Sequence, residues 1–229
     1  MLVCFWSPKG GSGVSVVTAA AGLLVARNGG ARIADLTGDQ PAVLGLAREP
    51  APGVLDWLAA GGDAPPGALD RLAAEISPGL TLLPAGDTPP SPFDPDSGAA
   101  LAAALLDSGV PTFCDAGRLE YPWSQAFAEI ADANVAVVRG CYLALRRAVG
   151  HPALAFTTGV VLVDEHGRSL RGRDVEDVLG VPVLATVEAR ATTARAVDAG
   201  VLATRMPDAL GRPLRHALAR LGCLEERAA

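Results

Sequence analysis

One lysine stands among the 229 residues; of the 19 basic side chains, the other 18 are arginines. That lysine, Lys9, lies in Ser7-Pro8-Lys9-Gly10-Gly11-Ser12-Gly13-Val14-Ser15, between an apolar run and a helical pattern. Arginine is a planar fork, whereas lysine is a compact charge on a thin stem that can enter a crowded phosphate pocket. A glycine-rich turn that leads from a strand into a helix presents inward-pointing N–H groups and the positive end of the helix dipole, which together form an anion site. The usual phosphate loop reads GxxxxGK[ST], with the lysine on the β- and γ-phosphates and the hydroxyl on magnesium. Here Pro8 replaces the first glycine, Gly13 and Ser15 fit the end of the pattern, and Val14 occupies the lysine position. The loop therefore keeps its backbone cradle, Lys9 to Gly13, and its hydroxyl, Ser15, but has a displaced ammonium.

Little else in the chain has the spacing of a reactive site. His151, His166 and His216 are isolated, and no serine–histidine pattern stands out. Cys4, Cys114, Cys141 and Cys223 have neither CxxC nor metal spacing and read as reduced thiols of a cytoplasmic protein. Half of the residues are hydrophobic and 19% are charged, enough for a sizeable core. A net charge of −6 argues against broad nucleic-acid binding, which needs a basic footprint. Val14 to Ala26, the longest apolar stretch, is too short to span a membrane. The amino-terminal strand carries no charged n-region, so no signal peptide is expected.

Apolar runs alternate with Ala/Leu/Arg-rich helical patterns throughout. Strands are expected at Leu2–Trp6, Ala31–Leu36, Leu80–Leu83, Val110–Asp115, Asn134–Val138, Gly159–Val163 and Val181–Val187. Between them, helices are expected at Val14–Arg27, Val54–Ala60, Ala68–Ile76, Ala99–Leu106, Trp123–Ala131, Tyr142–Val149 and Asp174–Leu179. Two more close the chain, Thr192–Asp198 and Pro207–Leu221, the second broken or restarted at Pro213. Gly61–Gly67 is turn-rich, and Ala85–Gly98, rich in Pro, Asp and Ser, reads as a long surface loop. Strands separated by helices imply parallel βαβ units. The fold class is α/β, a doubly wound and mainly parallel sheet with helices on both faces, in a single domain of residues 1–229.

The chain resembles the ParA/MinD family of deviant Walker A ATPases, in the SIMIBI class of P-loop proteins, whose loop runs KGGxGK[ST]. Lys9 to Ser15 matches every position of that motif except the second lysine. The likeness continues at Asp35, where the family has an Asp-x-Asp, and at Leu80–Gly86, which reads LTLLPAG. It extends to Phe113-Cys114-Asp115-Ala116-Gly117 and to Ala196–Gly200. This resemblance implies an ATP site made by Lys9, Gly10, Gly11, Ser12, Gly13, Val14, Ser15, Asp35 and Asp115. Ser15, Asp35 and Asp115 would hold magnesium where a nucleotide binds. Read without the resemblance, these three residues cap a helix and end two strands.

Two departures weigh against that chemistry. Val14 removes the phosphate lysine, a contact worth about 1.5–3 kcal/mol, or roughly ten- to a hundredfold in affinity. Thr37 replaces the second carboxylate, which in the family positions the attacking water. No catalytic residue is assigned, and Asp39 is the one substitute within reach. Asp164 falls where the family often has an asparagine that reads adenine. The expectation is a pseudo-ATPase with at most weak ATP and magnesium binding, acting as a positioning scaffold for a bacterial cell-surface or division machine. The TadZ/CpaE branch, which localises Tad-type pili, is the nearest analogy. The alternative is an active dimer switch with Lys9 reaching across to the partner's phosphates; a DNA-partition role is disfavoured by the acidity. A homodimer and a protein partner are expected, without nucleic acid.

Secondary surfaces carry less. Arg168, Arg171 and Arg173 read as a solvated basic turn, and Arg146 and Arg147 as the exposed face of a helix. Leu210, Leu214, Leu218 and Leu221 read as a stripe packed on the sheet rather than on a membrane, since the helix lacks interfacial aromatics. Trp6 and Trp57 read as packing residues.

Overall fold

A computed structural model describes residues 1–61 and 67–225. Most of the turn-rich segment expected at 61–67 lies outside the described residues. Eight strands form one sheet in the order β3-β4-β2-β5-β1-β6-β7-β8. They are β1 (Leu2–Trp6), β2 (Ala31–Asp35), β3 (Ala74–Ser77), β4 (Leu80–Leu83), β5 (Thr112–Asp115), β6 (Ala133–Arg139), β7 (Gly159–Asp164) and β8 (Val183–Glu188). All neighbours pair in parallel except the edge hairpin β3–β4.

Successive strand residues point to opposite faces, and the chain uses both. Val3 and Phe5 of β1 join a core with α1 (Val14–Ala26) and α10 (Asp208–Arg220). Leu2, Cys4 and Trp6 join a second core. It is covered by α3 (Val54–Ala60), α5 (Pro95–Asp107), α6 (Pro122–Ile130), α7 (Tyr142–Val149) and α8 (Gly172–Leu179). Strands buried on both faces read as continuous apolar runs, so period-two alternation is missing from the sequence. Short helices α2 (Gln40–Leu44), α4 (Ala68–Arg71) and α9 (Ala191–Asp198) complete the set.

Several expectations need correction. The helix expected over Ala68–Ile76 stops at Arg71, and Ala74–Ser77 forms an antiparallel edge strand. Ser77-Pro78-Gly79, with Gly79 at φ 79°, turns the chain straight back into β4. Helix α5 begins at Pro95, so the surface loop ends at Asp94 rather than Gly98; the Asp94 carboxylate accepts the Asp96 N–H as an N-cap, with Pro95 in the first turn. Helix α10 runs unbroken through Pro213. Burial of Leu210, Leu214, Ala217 and Leu218 outweighs the one backbone hydrogen bond that proline forfeits. Helix α2 and a 3-10 turn at Pro152–Phe156 have no counterpart in the sequence reading. Trp6 is fully buried and packs against His151 with the rings tilted by 32°, and Trp57 is half-buried against the second core. The four cysteines are free thiols.

The loop after β4 is tied down on both sides. Asp56 of α3 accepts N–H bonds from Gly53, Asp87 and Thr88, and the Thr88 hydroxyl at 2.6 Å. Trp123 Nε1 donates to the Ser91 carbonyl, and the Trp123 ring meets Phe93 edge-on and stacks with Tyr121. Helix α5 sits close to α6 because Gly98 has no side chain; a Cβ there would lie 1.9 Å from the Trp123 carbonyl oxygen. Gly98→Ala should therefore cost about 1–3 kcal/mol of stability, read as a fall in Tm of roughly 3–10 °C. An unchanged Tm in thermal denaturation would contradict this packing.

Candidate functional site

Parallel order brings the carboxyl ends of β1, β2 and β5 to one edge of the sheet, the place where open α/β sheets take ligands. The Lys9–Gly13 turn leaves β1 there and enters α1, with Gly11 at φ 73° and Gly13 at φ 93°. A Cβ built on either glycine meets nothing within 4 Å, so the turn is open in front. Ser7 and Ser12 brace it from behind: Ser7 Oγ and Ser12 Oγ each donate to the Lys9 carbonyl at 2.8 Å. The turn borders a half-open cavity of about 510 Å³, also lined by Pro90, Arg118, Tyr121 and Trp123.

Lys9 is half-buried at the rim, and its ammonium donates to the Gly10 carbonyl at 3.4 Å and adds its charge to those that lower the Glu165 carboxyl. Val14 is 8% exposed and packs into the core behind α1. The first turn of α1 therefore offers the cavity backbone N–H groups and Ser15 but no cation of its own.

Beside the turn sit two buried carboxylates. Asp35 and Asp115 are register partners on β2 and β5, and both are 0% exposed. Asp35 Oδ1 accepts from the N–H of Thr37, the Thr37 hydroxyl and the N–H of Gly38, while Oδ2 accepts from the N–H of Gln40. Asp115 Oδ2 accepts from Gln40 Nε2 at 2.8 Å and lies 3.3 Å from the Thr37 hydroxyl; its Oδ1 accepts from the Gly117 N–H. Burial is the main force raising the Asp35 carboxyl above its ordinary value, against the opposing hydrogen bonds of Thr37, Gln40 and Gly38. Burial, and then the charge of Asp35, push Asp115 up to about 6.

Every residue of the expected cradle and both aspartates thus converge on this edge. Thr37 bridges the two carboxylates where the resemblance implies a third. Asp39 is exposed and 3.4 Å from the Ser15 hydroxyl, while Asp164 lies apart, paired with Arg171 at 3.0 Å. Gln40, fully buried at the start of α2, was not singled out from the sequence. Its signal there is slight, a polar residue before Pro41 in a segment with no recognisable helix.

Measured against the needs of a divalent cation, which takes oxygen ligands with free lone pairs, Ser15, Asp35 and Asp115 do not fit. The oxygens of both aspartates are already engaged by the chain's own donors, Asp35 by Thr37, Gly38 and Gln40 and Asp115 by Gln40, Thr37 and Gly117. The open glycine turn does fit an anion.

No family model matches the chain, and no curated protein does. Solved structures do. MinD in the MinC:MinD cell division complex of Aquifex aeolicus has a TM-score of 0.77 at 18% identity, covering 100% of this chain and 98% of that one. A ParA family ATPase from Chlorobium tepidum TLS gives 0.77 at 18%, covering 95% and 97%. The septum site-determining protein MinD with Mg-ADP, from Pyrococcus horikoshii OT3, gives 0.76 at 15%, covering 96% and 95%. The chain therefore has the MinD/ParA-type α/β fold of the P-loop NTPases; identities this low establish the fold alone.

The raised Asp115 carboxyl sets a pH dependence in metal-free buffer. Its folded value of about 6 exceeds the unfolded 3.8, so the folded state holds the proton more tightly. Stability is greatest below the unfolded value and falls as pH rises through 6, by at most about 3 kcal/mol. Relative to Asp115→Asn, the wild-type Tm should climb as pH is lowered from about 7.5 to about 5. Parallel curves for the two proteins would mean that Asp115 carries no such burden.

Proposed function

We propose that this chain is a ParA/MinD-like protein, a single unit across its 229 residues, that does not hydrolyse ATP and acts as a cytoplasmic positioning or assembly scaffold. The machine it serves is a bacterial cell-surface or division apparatus, with the Tad-type pilus as the leading analogy. Val14 carries the reading. Its side chain is in the core, so the helix that would close on the phosphates contributes no charge to them. Thr37 adds a second deficit, since a hydroxyl already shared between two carboxylates cannot act as a third. Position 37 also constrains repair: an aspartate there would place a third negative group against two buried ones.

Solved structures of this fold include MinD of Pyrococcus horikoshii OT3 with Mg-ADP and a variant of Cyanothece McdA with ATP, so a residual nucleotide affinity is the point to measure. Calorimetry should find no Mg-ATP binding in the low micromolar range. Val14→Lys should tighten binding by roughly ten- to a hundredfold. A sub-micromolar dissociation constant for wild type ends the scaffold reading. Turnover should be undetectable for wild type and for Val14→Lys.

The second reading, an ATP-dependent dimer switch, draws on Lys9. Its ammonium sits half-exposed at the rim, with a long hydrogen bond to the Gly10 carbonyl, and on this reading it meets a partner's phosphate or carboxylate. On the scaffold reading the same face pairs without nucleotide, in an isologous contact that buries Lys9. Sedimentation equilibrium should then show a dimer that Lys9→Glu weakens and ATP leaves unchanged. A dimer that appears only with ATP, together with turnover abolished by Lys9→Ala, selects the switch instead.

A further inference from the structure

Gln40 takes no part in the function just argued, yet it is as deeply buried as the two aspartates beside it. It is 0% exposed, and its Nε2 donates to the Ser15 carbonyl at 3.0 Å and to Asp115 Oδ2 at 2.8 Å. Two acceptors this close require the nitrogen, rather than the oxygen, to face them. The cost of that orientation is visible, because Gln40 Oε1 is buried with no hydrogen-bond partner. A buried amide oxygen left without a donor costs about 1–3 kcal/mol. An amide that gives up its own acceptor to aim both N–H groups at oxygens is being oriented by the charge of Asp115.

We propose that the Gln40 carboxamide stands in for a divalent cation, neutralising Asp115 in part and tying it to the first turn of α1. The inference rests on the proposed loss of ATPase function and deepens it: the site is held together by the chain's own donors and is independent of metal. Three elements meet at this one residue. Its backbone N–H binds Asp35 at the end of β2, and its amide binds Asp115 at the end of β5 and Ser15 on α1. Asp115 in turn accepts the Gly117 N–H, and the Gly117 carbonyl accepts the Ser7 N–H at the base of the glycine turn. Through this chain of bonds Gln40 acts as a positioning residue for the turn. A ligand of the cradle would accordingly be an oxyanion taken without an accompanying metal.

Removing the amide uncovers a buried carboxylate with no counter-charge, which is the condition under which a cation should bind. Metal-free wild type titrated with Mn²⁺ should show no bound ion by electron paramagnetic resonance at millimolar metal, and Mg²⁺ should leave its Tm unchanged. Gln40→Ala should lower Tm by roughly 5–10 °C in metal-free buffer. Mg²⁺ or Mn²⁺ should restore part of that loss, and adding Asp115→Asn should abolish the response to metal. Should Gln40→Ala not fold, Gln40→Glu prepared with Mg²⁺ gives the same readout, since chelation should then unfold it. Stoichiometric Mn²⁺ binding by wild type overturns the proposal. So does a Gln40→Ala protein as indifferent to metal as wild type, or a Gln40→Glu protein indifferent to the chelator. No nucleotide enters these measurements, so ATP binding by wild type would defeat the scaffold reading separately.

Discussion

Two carboxylates buried side by side dominate this structure. Parallel pairing of β2 with β5 puts Asp35 opposite Asp115 at the one edge of the sheet where strand ends, turns and helix starts converge. Neither side chain reaches solvent, so each negative charge must be met by donors or carried at a raised pKa. The chain does both. Backbone N–H groups from the turn after β2 wrap Asp35, the Gln40 amide and the Gly117 N–H meet Asp115, and the Thr37 hydroxyl lies between the pair. The path of residues 36–40, and through it the placing of α2, follows from that demand.

The glycine turn is the counterpart of this acidic pair. Its backbone keeps the shape of an anion cradle: left-handed glycines, an open front and a serine brace behind. The first turn of the helix behind it carries no cationic side chain. Val14 points into the core, and Lys9 waits at the rim. The cations that border the cradle are Lys9 at its rim and Arg118 across the cavity, the latter paired with Glu120, and a charge-assisted bond to an oxyanion is about twice as strong as a neutral one.

Much of this could be read from the residues. The doubly wound sheet follows from alternating apolar runs and helical patterns, the loop is marked by its glycines and lone lysine, and Asp35 and Asp115 stand out only through the resemblance to the ParA/MinD motifs. Errors gathered where local pattern is weakest. Ala74–Ser77 is a short edge strand whose pairing depends on a turn at Gly79, and it looks helical beside Ala68–Arg71. Pro213 would break an isolated helix, but a buried leucine stripe holds α10 together. Gln40 was illegible for a different reason. Its role comes from contacts 25 and 75 residues away in the chain, and nothing local marks a glutamine as the partner of a distant aspartate.

The central claim is that this edge of the sheet is held by the chain's own donors rather than by metal and nucleotide. Amide hydrogen exchange over residues 7–15 and 35–40, with and without millimolar Mg-ATP, tests it most directly. The account predicts strong protection of the Gln40 and Gly38 N–H groups in the free protein and no change when Mg-ATP is added. Poor protection in the free protein that rises sharply with Mg-ATP would contradict it.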